Sequence, residues 1–424
     1  MAAAILMQLN QAGQIRLDEP AAKYLPDSAI PVQVTIREVM SHTSDGVPGE
    51  EFLYNGSRYA TLSLLIERVT GRPYAQVVRE RIFSPAKMSR TIPGLDTAGY
   101  ESLQRKLARP YNWDRTASTE VKQGVLPRSG LSAATEVVST VEDLARYAAA
   151  LDGDCLISPK AKGAMFTPMV STRGERLPYG LGWFVQSYLG HRLVWHFGQE
   201  DSYSSLFLRV PDRKLTLILL ANSNAMSDAF RLLDGDASRS LFALKFLKDL
   251  VLSPAPQAES LRLRADEELD EGLVNLYAGR RERAISATRT ALKGSVPVEP
   301  SVNLLYLLLQ LREPSLKRIT ESVGRELVRR HPHLAPALFY FGTFLQETER
   351  SNEAILFFAR IANIQPPLRH WTAALALLEL AKFYSARDPL LARKYAERVI
   401  GMGLNVDGVA DRARQMLAKL PSSP

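Results

Sequence analysis

The rhythm of apolar and polar positions changes twice along this chain. In the first part, apolar residues recur three and four positions apart, the period of helices buried on one face. That spacing predicts helices over 62–69, ended by Gly71, and over 74–82. A further helix over 141–151 follows Ser139-Thr140, hydroxyls suited to capping, and carries Glu142 and Asp143 where the helix dipole favours acids. From Leu181 the pattern shortens to strands over 181–186, 193–197, 204–210 and 215–221, with Gly190 and Pro211-Asp212 in the turns. Four short consecutive strands imply an antiparallel sheet, and helices on either side of it make the arrangement α+β. After residue 257 the helical period returns and persists.

Ser253-Pro254-Ala255-Pro256-Gln257 is a Pro-rich break that cannot continue a helix, so domains are expected over 1–252 and 258–424, joined by the linker 253–257. In the all-α second part, Pro332 and Pro366 are one 34-residue period apart and Pro297 stands almost one period earlier, the spacing of tetratricopeptide repeats. The best unit, 335–366, places Leu338, Phe341, Gly342, Leu345, Ala354, Phe358 and Pro366 in that pattern, with small residues where two helices cross closely. Gly272 with Ala284, and Ala381 with Tyr384, Ala392 and Ala396, suggest further units. A generic helical bundle is the alternative.

Composition narrows the function. The 46% apolar and 23% charged residues are ordinary for a folded protein and argue against disorder. The net charge of +8 is spread along the chain beside acidic neighbours, as in Arg281-Glu282-Arg283, so it describes a solvated surface and not a nucleic-acid stripe. No apolar run reaches the roughly 18 residues of a membrane span. One cysteine, Cys155, cannot close an internal disulfide. The six histidines, at 42, 191, 196, 331, 333 and 370, form no ligand set with acids, and no metal or cofactor is expected. Residues 1–9 are apolar but lack a basic lead-in and a cleavage site, and read as a buried helix ended by Gly13.

The chemistry enters through ordered segments of the first part. These are 13–20 with Tyr24-Leu25-Pro26, Thr35-Ile36-Arg37, Ser41-His42-Thr43-Ser44, 52–59, 62–71, Ile82-Phe83-Ser84-Pro85, 139–147, Tyr179-Gly180-Leu181-Gly182-Trp183 and His196-Phe197-Gly198. In this order they resemble the serine beta-lactamase, penicillin-binding protein and esterase family, in its class C-like branch. The resemblance implies a beta-lactamase-like antiparallel sheet flanked by helices. It also implies an acyl-enzyme mechanism on an amide or ester substrate, with a Ser-x-x-Lys pair supplying nucleophile and base. A Tyr-x-Asn motif shares the proton traffic, and a Lys-Thr-Gly or His-x-Gly strand walls the site, with a backbone N–H after its glycine in the oxyanion hole.

Carried over residue by residue, Tyr54 takes the tyrosine position and His196 with Gly198 matches His-x-Gly, so Tyr54 and His196 are the expected catalytic residues. Asn55, Gly198 and Gln199 are the expected substrate-binding residues, Gln199 through its N–H. The pattern departs at Gly56, where the asparagine should stand, leaving Asn55 one residue early, and at Gln199 and Ser202, where glycines are common.

The nucleophile has no counterpart. The resemblance places Ser-x-x-Lys about six residues before Met1, so the hydrolase part is expected to be incomplete at its amino end. Ser84-Pro85-Ala86-Lys87 satisfies the pattern literally but falls in a structural segment of the family. Two readings stay open: a serine hydrolase of D,D-peptidase, beta-lactamase or esterase type without its nucleophile segment, inactive as numbered, or a non-catalytic protein whose helical repeats hold a partner peptide. The substrate class reaches peptidoglycan-type amides and esters. Many relatives act outside the cytoplasm, but the address of this chain is not legible.

Overall fold

The computed structural model describes residues 1–26, 30–95, 97–113, 121–124, 130–135, 137–252, 257–365, 367–368, 370–404 and 408–420. Most of the Pro-rich segment 253–257 and Pro366 lie outside the described residues. The chain divides into two packed units: Met1–Ser44 with Tyr54–Val298, and Asp45–Leu53 with Glu299–Pro424.

The first unit is α+β. Its main sheet is antiparallel in the order β3 (Phe184–Tyr188), β4 (His191–Gln199), β5 (Ser204–Val210) and β6 (Leu215–Ala221), and a separate hairpin pairs β1 (Tyr111–Trp113) with β2 (Val121–Gln123). The register sets Phe184 opposite Trp195, and His196 opposite Phe207. Along β4 the run Leu193 to Trp195 and Phe197 are buried, and the alternation that made the strand legible shows at its far end, where His196 is half-buried between Trp195 and Phe197. The first strand begins three residues later than the alternation predicts. Residues 181–183 form a turn instead, in which Gly182 adopts a left-handed φ of +79° and donates its N–H to Met40 O at 3.0 Å. A Cβ on Gly182 would stand 2.4 Å from Ala3 Cβ and 2.8 Å from Tyr59 Oη, so the turn needs glycine for both backbone and space.

Helix α1 (Ala2–Gln11) is apolar nearly all round and is buried at Ala2 to Met7 and at Leu9. It shares one core with Leu62, Leu65 and Ile66 of α3 (Gly56–Thr70), and with Leu151, Met165, Leu181 and Trp183. Helix α3 ends where the sequence predicts, at Gly71 with φ +68°. Thr140 caps the helix Val141–Asp152 as expected. Short α2 (Ile36–Met40) is held by a reciprocal capping box: Glu38 N–H donates to the Thr35 side chain, and Thr35 N–H to Glu38.

Helices Gln257–Tyr277 and Arg281–Lys293 pack on each other and belong to the first unit, so the packing division falls some forty residues beyond the Pro-rich break. In the second unit each helix from Val302–Leu311 to Val409–Leu417 packs against its neighbour in sequence. Gly342 lies against Phe358, where an added Cβ would be 2.7 Å from Cε1, and Ala354 is fully buried, which accounts for the small residues at that crossing. Glu51 Oε2 lies 3.5 Å from His331 Nδ1 in the same unit.

Candidate active site

The site is built from three local structures that deliver rings to one place. Helix α2 runs out at Ser41, and the chain reverses at His42, whose φ of 55° is left-handed and uncommon outside glycine. This turns the buried His42 ring toward Tyr54, Tyr59 and Tyr179, with centroids 4.3, 5.1 and 4.9 Å away. His42 Nδ1 accepts a hydrogen bond from the Asn55 N–H at 3.1 Å, which ties the residue after Tyr54 to the end of α2. Arg58 reaches back from α3 and donates to Ser44 O at 2.9 Å. Strand β4 delivers His196, 6.2 Å from Tyr54 between ring centroids, and the glycine turn delivers Tyr179. Phe184 and Phe197 close the cluster at 5.8 and 5.5 Å from Tyr54.

Burial sets the electrostatics. It pushes the Tyr54 and Tyr179 phenols well above the ordinary tyrosine range. It lowers His196 to about 4, and it holds His42 well below the ordinary histidine range, where the neighbouring His196 adds like-charge repulsion. At neutral pH the cluster is therefore a set of uncharged polar rings. His196 Nε2 lies 2.9 Å from Tyr179 Oη, and its Nδ1 lies 2.7 Å from the Phe197 carbonyl oxygen.

Of the residues expected from sequence, Tyr54 and His196 come together here. Asn55 is adjacent, but its side-chain oxygen accepts from the Arg58 N–H at 3.0 Å and so caps α3, a task that follows from its place just before the helix. Gly198 is next on β4; a Cβ there would lie 2.5 Å from Ser205 Oγ, and its carbonyl accepts from Ser227 Oγ at 3.1 Å. Gln199 ends the strand, exposed, and its side chain donates to Asp228 at 2.8 Å. Ser202 is buried and donates to Asn112, so its bulk is taken up inside the protein. Ser84 is exposed at the close of the helical segment Arg79–Phe83, and Lys87 follows in a left-handed turn.

His42 and Tyr179 are the residues whose part in the cluster was not readable from the chain. Their segments were visible as ordered motifs, but spacing alone does not disclose a left-handed histidine. The Gly-x-Gly flanking of Leu181 was the available signal for a turn that aims Tyr179.

An antiparallel sheet whose His-x-Gly strand faces a tyrosine at the mouth of a helix, over an apolar helical core, defines the beta-lactamase-like class of α+β proteins. The Beta-lactamase family profile matches residues 1–238, more than half of the chain, and the chain belongs to that family. It is 28% identical over 261 residues to penicillin-binding protein 4* of Bacillus subtilis (strain 168), covering 51% of this chain and 57% of that protein. It is 26% identical over 231 residues to the putative penicillin-binding protein PbpX of the same organism, covering 48% and 56%. The octameric penicillin-binding protein homologue from Pyrococcus abyssi, a solved structure, is 22% identical with a TM-score of 0.47, covering 52% of this chain and 59% of that one. The chain thus spans little more than half the length of the curated relatives it matches.

Proposed function

We propose that the first unit, residues 1–44 with 54–298, forms part of a beta-lactamase-related serine hydrolase that acts on amide or ester substrates, of the kind penicillin-binding relatives suggest, through an acyl-enzyme. The observation that carries this reading is the convergence of Tyr54 and His196, from elements far apart in sequence, in one cluster within a family whose chemistry uses these two motifs. Tyr54 would share the proton of the attacking hydroxyl. Its raised pKa suits a group that stays protonated until a neighbouring base takes that proton. His196 would wall the substrate cleft, with Gly198 permitting close approach and the Gln199 N–H facing the developing oxyanion.

The Ser-x-x-Lys pair is not among residues 1–424 at the position the family pattern gives it, so these residues alone turn over little or no substrate. Only residual transition-state binding remains without the nucleophile. The test is turnover of a chromogenic cephalosporin and of a p-nitrophenyl ester by residues 1–424. Background rates are expected; saturable turnover abolished by Ser84→Ala would refute the reading. The helical unit, with its close crossing at Gly342 and Phe358, supports the further proposal that tetratricopeptide-like pairs hold a partner peptide. Peptide binding by the whole chain, weakened by substitutions in 335–362, would test that.

A further inference from the structure

The hydrogen bonds around His196 define more than its position. A carbonyl oxygen can only accept, so the 2.7 Å contact between Nδ1 and Phe197 O requires a proton on Nδ1. In the neutral ring Nε2 then holds a lone pair, and the atom beside it, at 2.9 Å, is the Tyr179 phenol, which can donate. The alternative, an imidazolium donating from both nitrogens, would place a positive charge among buried rings. The titratable groups facing it are Tyr54, Tyr179 and His42, none of which supplies a negative charge.

We propose that Tyr179 is a positioning residue for His196, fixing it as the neutral Nδ1–H tautomer with its Nε2 lone pair already filled, so that His196 lines the cleft as a locked polar ring and does not take protons during the reaction. This assigns the proton traffic on this side of the site to Tyr54, and gives the Tyr-Gly-Leu-Gly-Trp segment a task. Gly182, whose φ of +79° admits the turn, and Gly180, where a Cβ would meet Met165 O at 2.3 Å, let the chain pass close enough to bring Tyr179 beneath β4. Tyr179 itself is buried, and its carbonyl accepts from the Met169 N–H at 2.8 Å, so the phenol is delivered from a rigid base. The inference relies on the hydrolase reading for the meaning of the site, but the state of the ring can be measured without turnover, so the two fail separately.

The experiment is long-range ¹⁵N–¹H correlation NMR on residues 1–424 with ¹⁵N-labelled histidine. His196→Gln identifies the His196 signals by their loss. At neutral pH the expected pattern is protonated Nδ1 with Nε2 unprotonated and hydrogen-bonded. In Tyr179→Phe, which keeps the ring packing and removes the donor, the Nε2 resonance should shift toward a free lone pair. The titration midpoint of His196 should rise by about 0.5–1 pH unit, because a bond to the neutral form is lost. His191, His331 and His333, which lie outside the cluster, report whether the variant folds. A wild-type ring protonated on Nε2, or a Tyr179→Phe spectrum unchanged at His196, would overturn the assignment. If that variant does not fold, the wild-type tautomer still decides.

Discussion

Two histidines kept neutral by their surroundings make the site costly to protonate. The unfolded chain takes up a proton at His196 below about 6.5, whereas the folded ring holds off until about 4. A histidine with a depressed folded pKa contributes stability that is complete above 6.5 and is lost as pH falls toward 4; His42 acts in the same direction. Urea unfolding midpoints should therefore fall between about pH 7 and pH 5, and His196→Gln should make that fall shallower; equal slopes in the two proteins would contradict it. Gly182→Ala places a Cβ 2.4 Å from Ala3 at a left-handed backbone position. A loss of about 2 kcal/mol or more is expected in the same unfolding assay. Tyr54 and His196 were legible because each sits in a short ordered motif. The positions of His42 and Tyr179 were not, since one depends on an unusual φ and the other on two backbone close approaches, neither of which residue type alone announces.

At the scale of elements, the sheet and the amphipathic helices followed from period and capping residues, as at Thr140 and Gly71. Two features escaped that logic. Asn55, read as a substrate contact, stands where α3 needs a cap and supplies it. Asn55→Ala should cost about 1 kcal/mol of stability, with Asn55→Asp largely preserving it, measured by thermal or urea unfolding. The helix Gln257–Tyr277 is joined to the rest of its unit through buried charge: Tyr188 donates to Asp266 at 2.8 Å, and Arg239 is clasped by Asp266, with Asp236 and Asp270 3.4 and 3.5 Å away. Periodicity reads helices by their apolar faces, so a helix held through an arginine and three acids gives no sign of its partner. Asp266→Ala strips a partner from the buried Arg239. It is expected to destabilise by about 3 kcal/mol and to speed amide exchange along 257–277; exchange unchanged there would show that the clasp does not hold the helix.

For the whole molecule, family membership and the α+β class rest on residues 1–238, while the described part of the second unit is built mainly from paired helices, with Asp45–Leu53 packed among them. The central proposal is that the first unit carries a serine-hydrolase site in which Tyr54 would handle the proton of a nucleophile outside residues 1–424. The most direct measurement reads the gene in frame upstream of Met1 and compares p-nitrophenyl ester and cephalosporin turnover by the extended protein with that by residues 1–424. An upstream Ser-x-x-Lys should confer saturable turnover on the extended protein only. Its serine should be essential, and Tyr54→Phe should lower kcat by about 10²–10⁴-fold. An extended protein that lacks such a pair, or one whose turnover is indifferent to Tyr54→Phe, would contradict the account.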